Sequence, residues 1–148
     1  MYQPEHATHT EATAHHDDRV QYLVVGDESS LGQLEVELSA LPLCARGRVF
    51  VEVDSRDGLP ALAAPMRMTV TWLSRVTPAG RAGSSTASTH GEMLLRAVRA
   101  WTAEMLCDGP GATHAILTGD YAGVSAVFDH LVSDIRMSPE SIATSAGV

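Results

Sequence analysis

Residues 21–31 read Gln-Tyr-Leu-Val-Val-Gly-Asp-Glu-Ser-Ser-Leu, and this stretch decides the fold class. Its first five residues form a short apolar run, which is typical of a strand covered on both faces. The sequence Gly26-Asp27-Glu28 predicts a turn after that strand. Ser30 and Gln33 then have the spacing of a capping box, which predicts that a helix begins there.

The rest of the chain alternates between apolar runs and helical stripes. Leucines 31, 34, 38 and 41 form one helical stripe, which ends near Pro42. Further strands are predicted over 48–53, 68–73 and 114–118 and around Ile142, further helices over 94–105 and 124–135, and a long loop over 76–90. Strands and helices that alternate at this spacing predict an α/β protein with a parallel, doubly wound sheet.

The length of 148 residues favours one domain that is large enough to bury a core. Residues 1–18 contain four histidines and four acids but no valine, isoleucine, leucine or phenylalanine, which predicts a disordered, histidine-rich tail. The folded domain is therefore expected over residues 19–148. Nothing in the tail would hold histidines in a fixed geometry, so no metal site is predicted.

The charge balance is acidic, with 10 basic and 18 acidic residues and a formal net charge of −8. Nucleic acids and anionic lipids require clustered basic groups, so we expect no nucleic-acid partner. No apolar run approaches the roughly 18 to 20 residues that span a bilayer, and the first residues do not resemble a secretory signal. We therefore expect no membrane insertion and a cytoplasmic location. All basic residues are arginine, which excludes a lysine Schiff base and a P-loop lysine.

Other reactive side chains give no catalytic motif. Cys44 and Cys107 lie far apart in the sequence, and each is predicted to be a small buried hydrophobic residue in a reducing compartment. His130, in the last predicted helix, is expected at the surface. The chain contains no nucleophile elbow, no zinc-protease motif and no paired catalytic carboxylates, so no catalytic residue is predicted.

Three polar segments follow predicted strands, and ligands of open parallel sheets bind outside the carboxyl ends of the strands. The first is Gly26–Ser30, where free backbone N–H groups could receive a phosphate, although Asp27-Glu28 would repel one placed directly against it. The second is Ser74-Arg75, whose hydroxyl and guanidinium suit a phosphate monoester unless Arg75 is simply solvated. The third is Gly119-Asp120, where glycine allows close approach of a ligand or closes a tight turn.

An ordered set of segments resembles the siderophore-interacting protein family. The similarity begins at Val25–Leu31 and covers nearly all of residues 20–144. The later segments, in the same order as in the family, are Leu41-Pro42, Gly47-Arg48-Val49-Phe50-Val51-Glu52-Val53, Val70-Thr71-Trp72-Leu73-Ser74-Arg75, and Thr118-Gly119-Asp120 followed by Val124-Ser125-Ala126-Val127.

The resemblance implies a fold, a cofactor and roles for matching residues. The family consists of flavin-dependent ferric-siderophore reductases, in which a flavin-binding barrel precedes a nicotinamide-nucleotide domain of the ferredoxin-reductase type. This chain resembles the second domain alone, a five-stranded, Rossmann-like domain that would bind NADPH or NADH. The implied cofactor-binding residues are Gly26, Asp27, Glu28, Ser29 and Ser30 at the pyrophosphate, Ser74 and Arg75 at the adenosine end, and Gly119 and Asp120 beside the nicotinamide.

The sequence also departs from the family in two places. The flavin barrel with its Arg-x-Tyr-Ser/Thr motif is missing, and the family's closing Tyr-Trp-Arg is replaced by the residues of 143–148. Hydride transfer requires both rings to be in contact, so we expect no FAD on this chain and no catalysis by it alone. The expected partners are a separate flavin-binding protein or a ferric siderophore. A non-catalytic protein-interaction module derived from the family is the alternative.

Overall fold

The structure is a computed structural model that describes residues 20–78 and 85–146. The tail predicted over residues 1–18 lies outside the described residues, and so do residues 79–84 of the predicted loop. Within the described ranges, no helix is both long enough and apolar enough to cross a bilayer.

The secondary structure alternates between strands and helices along the chain. In order, the elements are β1 (Gln21–Asp27), a 3₁₀ turn (Glu28–Ser30), α1 (Leu31–Ala40), β2 (Arg46–Val53), β3 (Arg67–Ser74), β4 (Val76–Pro78), β5 (Ser85–Ala87), α2 (Glu92–Met105), β6 (Thr113–Gly119), α3 (Tyr121–Asp129), a π-helical turn (His130–Asp134), a second 3₁₀ turn (Pro139–Ser141) and β7 (Ile142–Ala146).

Five of these strands form one parallel sheet in the order β3-β2-β1-β6-β7. The chain builds β1, β2 and β3 towards one edge, then crosses over through α2 and builds β6 and β7 towards the other. The predicted parallel, doubly wound, five-stranded sheet is therefore confirmed. The uninterrupted loop predicted over 76–90 is wrong, because β4 and β5 pair there as a small antiparallel ribbon.

The sheet is covered on both faces, as the apolar strands require. One face packs against α2 and α3, and its core includes Leu23, Val25, Phe50, Leu117 and Val127. The other face packs against α1 and the segment around residues 59–64, and its core includes Val24, Leu34, Val49, Val51 and Met68. Side chains that alternate along each strand therefore belong to opposite cores, which fixes the register of every strand.

The last predicted helix differs from the expected one in its final turn. After Asp129 the helix widens into the π-helical turn, where the consecutive residues His130 and Leu131 are both buried. The prediction that His130 lies at the surface is wrong. Its Nε2 lies 2.9 Å from the Thr102 hydroxyl oxygen of α2, and its Nδ1 lies 2.8 Å from a carboxylate oxygen of Asp134. A regular 3.6-residue period does not anticipate the wider turn that directs His130 towards α2.

The two cysteines are less buried than their residue type suggests. Cys107 is exposed and Cys44 is only partly buried, so the prediction that both are core residues is wrong. Cys107 lies just after the end of α2, in the turn that leads through Asp108 and Gly109 towards β6. Connecting segments of this kind run over the surface, whatever the hydrophobicity of one residue in them.

Two glycines provide a matched test of backbone constraint. Gly47 in β2 has φ +145°, and a Cβ there would lie 1.9 Å from the Tyr22 carbonyl oxygen, whereas a Cβ at Gly32 in α1 would have no atom within 4 Å. We expect Gly47→Ala to lower the free energy of unfolding by about 3 kcal/mol, since backbone must move. Gly32→Ala should raise it by about 1 kcal/mol, because alanine favours helix. Urea unfolding measures both changes, and similar effects of the two substitutions would contradict the strand geometry.

Candidate functional site

All nine predicted site residues lie along one edge of the sheet, at the carboxyl ends of β1, β3 and β6. Gly26 and Asp27 end β1, and the 3₁₀ turn of Glu28, Ser29 and Ser30 follows at once. Ser74 is the last residue of β3, and Arg75 follows it. Gly119 ends β6, and Asp120 is the N-cap of α3. The structure therefore brings the three predicted segments to the same edge.

The turn after β1 is held by Asp27. Its Oδ1 accepts a hydrogen bond from the backbone N–H of Ser29 at 2.9 Å, and the Ser30 hydroxyl accepts one from the Asp27 N–H at 3.0 Å. The capping box therefore joins Asp27 to Ser30. The predicted box between Ser30 and Gln33 is wrong, because Ser30 makes no side-chain cap to α1 and the Gln33 amide bonds to Glu37 instead.

The turn after β6 is fastened to the same carboxylate. The backbone N–H of Asp120 donates to Oδ2 of Asp27 at 2.7 Å. Gly119 has φ +116°, and a Cβ there would lie only 2.6 Å from that oxygen. Glycine is thus required because the Asp27 carboxylate approaches the backbone closely. The Asp120 carboxylate in turn accepts from the N–H of Ala122 at 3.0 Å and caps α3.

Arg75 is buried, with 4% of its surface exposed, so it is not the solvated arginine that was one reading of the sequence. Its guanidinium donates to Glu52 at 3.2 Å and to Glu28, and it lies 3.8 Å from the Asp54 carboxylate. Burial by itself lowers the pKa of Arg75, but the hydrogen bonds and charges of Glu28 and Glu52 outweigh it and raise that pKa above its usual value. The guanidinium therefore stays charged.

Glu52 is the functional neighbour that sequence reasoning missed. Its side chain is 2% exposed, and its two oxygens accept from the backbone N–H groups of Gly91 at 2.7 Å and Leu94 at 3.0 Å, at the beginning of α2. The signal was present in the sequence, since Glu52 is the one charged residue in the apolar run 49–53. A carboxylate in a buried strand requires a cation or several N–H donors.

Three of the elements that begin at this edge thus have a carboxylate at their start, whereas α1 has no side-chain cap. Asp27 caps the 3₁₀ turn, Glu52 caps α2 and Asp120 caps α3. These are the N–H groups that would otherwise receive a phosphate. A pyrophosphate placed directly against them would have to displace a carboxylate of the protein, so this part of the edge does not fit one as it stands.

A cleft of about 580 Å³ lies at the carboxyl ends of β2 and β3, and its lining fits the adenosine end of a nucleotide better. Leu73 and Met93 offer apolar surface, and Ser74 lines the cleft with its hydroxyl bonded to the Asp54 and Val76 carbonyls. Arg56 is exposed, and one of its nitrogens donates to the Trp72 carbonyl at 2.9 Å. The remaining N–H groups of that guanidinium are suited to a phosphate monoester. Sequence reasoning assigned that role to Arg75 and overlooked Arg56.

No group of three or more histidines, cysteines and acids in residues 20–78 and 85–146 is arranged to hold a metal ion.

Comparison with known sequences finds one matching family model and similar proteins. The family model described as "Siderophore-interacting protein" matches residues 20–146. An uncharacterized protein of Mycobacterium tuberculosis and one of Mycobacterium bovis are each 33% identical to the chain over 105 residues, which is 70% of this chain and 34% of the relative. The chain thus spans about a third of the length of these relatives.

Solved structures share the fold at low sequence identity. The siderophore-interacting protein SipS from Aeromonas hydrophila superposes with a TM-score of 0.64 at 16% identity, over 86% of this chain and 45% of that one. A siderophore utilization protein from T. fusca gives 0.60 at 20% identity, over 85% and 43%. The ferredoxin-NADP+ reductase of Plasmodium falciparum, in a structure with 2′P-AMP, gives 0.57 at 9% identity, over 87% and 53%. The nucleotide-domain fold of the reductases is therefore shared by this chain.

The buried Glu52 carboxylate leads to a testable prediction about the stability of this edge. Glu52→Gln should lower the free energy of unfolding by about 3 kcal/mol, because it leaves Arg75 without one of its counter-charges and an N–H of α2 without an acceptor. Asp57→Asn, at an exposed position of the following loop, removes the same charge and should change it by less than about 0.5 kcal/mol. Urea unfolding compares the two, and an equal effect would show that Glu52 does not hold this edge.

Proposed function

The chain belongs to the siderophore-interacting protein family, and we propose that it is the nicotinamide-nucleotide-binding part of a ferric-siderophore reductase. The nucleotide would supply a hydride, which carries two electrons, to a flavin held elsewhere, and the flavin would pass the electrons singly to ferric iron. The chain spans only 34% of its curated relatives and 45% of the SipS structure. A flavin-binding protein, in the cytoplasm where NADPH and NADH are available, is part of the proposal.

The cleft beside Arg56 and Ser74 is the observation that carries the proposal. It lies at the carboxyl ends of β2 and β3, in a sheet whose strand order reverses between β1 and β6, and such sheets bind ligands at that edge. The apolar side chains of Leu73 and Met93 would contact the adenine, and Arg56 would pair with a 2′-phosphate. The superposable ferredoxin reductase was solved with 2′P-AMP, which is this end of NADP.

The remainder of the nucleotide would run from this cleft towards Gly119. On that path its pyrophosphate meets the carboxylates of Asp27, Glu28 and Asp120, and Arg75 is already bonded to Glu28 and Glu52. Repulsion between these carboxylates and the pyrophosphate offsets a substantial part of the binding free energy that the adenosine end contributes. We therefore expect a micromolar dissociation constant at best, with most of the affinity coming from the 2′-phospho-adenosine end.

The same carboxylates favour a second candidate function, a non-catalytic interaction module. In that case Asp27, Glu52 and Asp120 serve only to hold the turns and helices in place, and the carboxyl edge of the sheet binds no nucleotide. Both candidates predict the same fold and the same stability, but they differ in what a nucleotide titration shows.

Calorimetric titration of NADPH, NADH and 2′-phospho-AMP into the full chain separates these functions. We expect NADPH and 2′-phospho-AMP to bind and NADH to bind at least tenfold more weakly. Arg56→Gln should weaken NADPH about tenfold, since it removes a charge-assisted bond to the 2′-phosphate worth roughly 1.4 kcal/mol, and should leave NADH unchanged. Arg136 is an exposed arginine before β7, at the opposite edge of the sheet. Arg136→Gln removes the same charge there and serves as the control.

An equal loss of NADPH affinity in the Arg56→Gln and Arg136→Gln variants would show that Arg56 does not contact the nucleotide. The absence of binding of all three ligands at millimolar concentration would overturn the nucleotide function and support the interaction module. Arg75→Ala is unsuitable as a test, because the loss of a buried charge that pairs with Glu52 would destabilise the whole edge.

A further inference from the structure

Three arginines lie together at the amino ends of β2 and β3, on the edge of the sheet opposite the cleft. Arg46 and Arg67 are direct partners in the parallel register, and Arg48 lies two residues further along β2. Because side chains alternate along a strand, all three share the face that carries Phe50 and Leu73 in the core beneath α2. The Arg48 guanidinium carbon lies 6.0 Å from the centre of the Phe50 ring, on that face. These residues are termed the arginine patch.

Among residues 20–78 and 85–146, the arginine patch is left partly or fully exposed. Of the described residues of β2 and β3, Phe50 and Leu73 contribute to the core beneath α2, and both lie in the carboxyl halves of their strands. Arg67 and Thr69 are exposed, and Arg46 and Arg48 are partly exposed. The amino halves of the two strands therefore present an open sheet surface of arginine and threonine. An open surface of this shape suits a macromolecular partner better than a small molecule, which requires a concave site.

The charges of the arginine patch are not compensated within the described chain. Over residues 20–78 and 85–146, the ion pairs involve Arg75, Arg96 and His130, and none involves Arg46, Arg48 or Arg67. Arg46 donates through Nε to the Val20 carbonyl at 3.2 Å, which holds its side chain at the amino end of β2. Like charges at directly opposed positions destabilise a sheet.

We propose that the arginine patch is a docking surface for an acidic segment of a partner protein. The formal net charge of −8 makes this cluster opposite in sign to the molecule as a whole, so a negatively charged partner is attracted here and repelled elsewhere. Neighbouring strands lie about 4.8 Å apart and alternate residues about 6.7 Å apart, which matches the spacing of carboxylates on an extended acidic segment. Each guanidinium can bind a carboxylate through two parallel hydrogen bonds.

A nucleic acid is a poorer match for the same surface. Its phosphates form a long, evenly charged line, and most of the binding free energy comes from neutralising many of them. Three arginines on a chain that is acidic overall offer few such contacts. A short acidic segment requires only the contacts that the patch provides.

The position of the patch makes this surface independent of the proposed nucleotide function. β2 is eight residues long, from Arg46 to Val53, so the patch lies roughly 20 Å from the carboxyl edge. A partner bound there leaves the cleft beside Arg56 accessible. Loss of nucleotide binding would therefore leave this proposal standing, and the reverse also holds.

An acidic decapeptide of glutamate, with blocked ends, tests the surface. Backbone amide NMR spectra of the full chain should show peptide-dependent shifts concentrated in residues 46–48 and 67–69, and a neutral glycine-serine decapeptide should cause none. The double substitution R48Q/R67Q should weaken the glutamate peptide at least tenfold and reduce the salt dependence of its affinity. R96Q/R99Q, at exposed positions of α2, removes the same charge and should leave the affinity within twofold.

Three results would overturn the proposal. The first is equal affinity of the peptide for both double variants. The second is tighter binding of a decathymidine oligonucleotide than of the glutamate peptide at the same residues, which would indicate a nucleic-acid surface. The third is a dimer of the wild-type chain in sedimentation experiments that dissociates in R48Q/R67Q, together with no binding of the peptide by the wild-type chain. The surface would then bind a second copy of this chain.

Discussion

The carboxyl edge of the sheet depends on one buried ion pair, between Glu52 and Arg75. Both side chains are almost fully buried, and the transfer of either charge from water costs several kcal/mol unless partners replace the lost hydration. Glu52 obtains them from Arg75 and from the first N–H groups of α2, while Arg75 also reaches Glu28 in the turn after β1. Four separate segments of the chain thus meet at two charges, and each segment is positioned because the charges would otherwise be unsatisfied.

This arrangement determines what the edge can bind. A carboxylate at the start of a helix stabilises the helix through the same N–H groups that would hold a phosphate. The protein therefore gains stability at its strand ends, and the N–H groups that Asp27, Glu52 and Asp120 occupy are no longer free to bind an anion. The proposed nucleotide affinity would then come from Arg56 and the apolar lining of the cleft, since no ion pair within residues 20–78 and 85–146 involves the Arg56 guanidinium.

The sequence predicted those features that depend on local pattern. The apolar runs fixed the five parallel strands, and the turn residues Gly26–Ser30 and Gly119-Asp120 were correctly expected at one edge, because parallel strands all end there. What the sequence could not give were contacts between distant segments. Glu52 and Leu94 are 42 residues apart, and Asp27 and Asp120 are 93 apart. Local spacing alone did not show that these carboxylates cap neighbouring elements.

The same limitation applies to charge. A formal net charge of −8 describes the average of the chain, and on that average a basic surface is unexpected. The strand register changes this, because it places Arg46 beside Arg67 at one edge of the sheet, while Asp27, Glu28, Glu52 and Asp120 lie at the other. A molecule with acids at one edge and arginines at the opposite edge has a charge dipole, and therefore a preferred orientation in a field, as well as a net charge. A charged partner would be oriented by that dipole during approach, before any contact of shape is made.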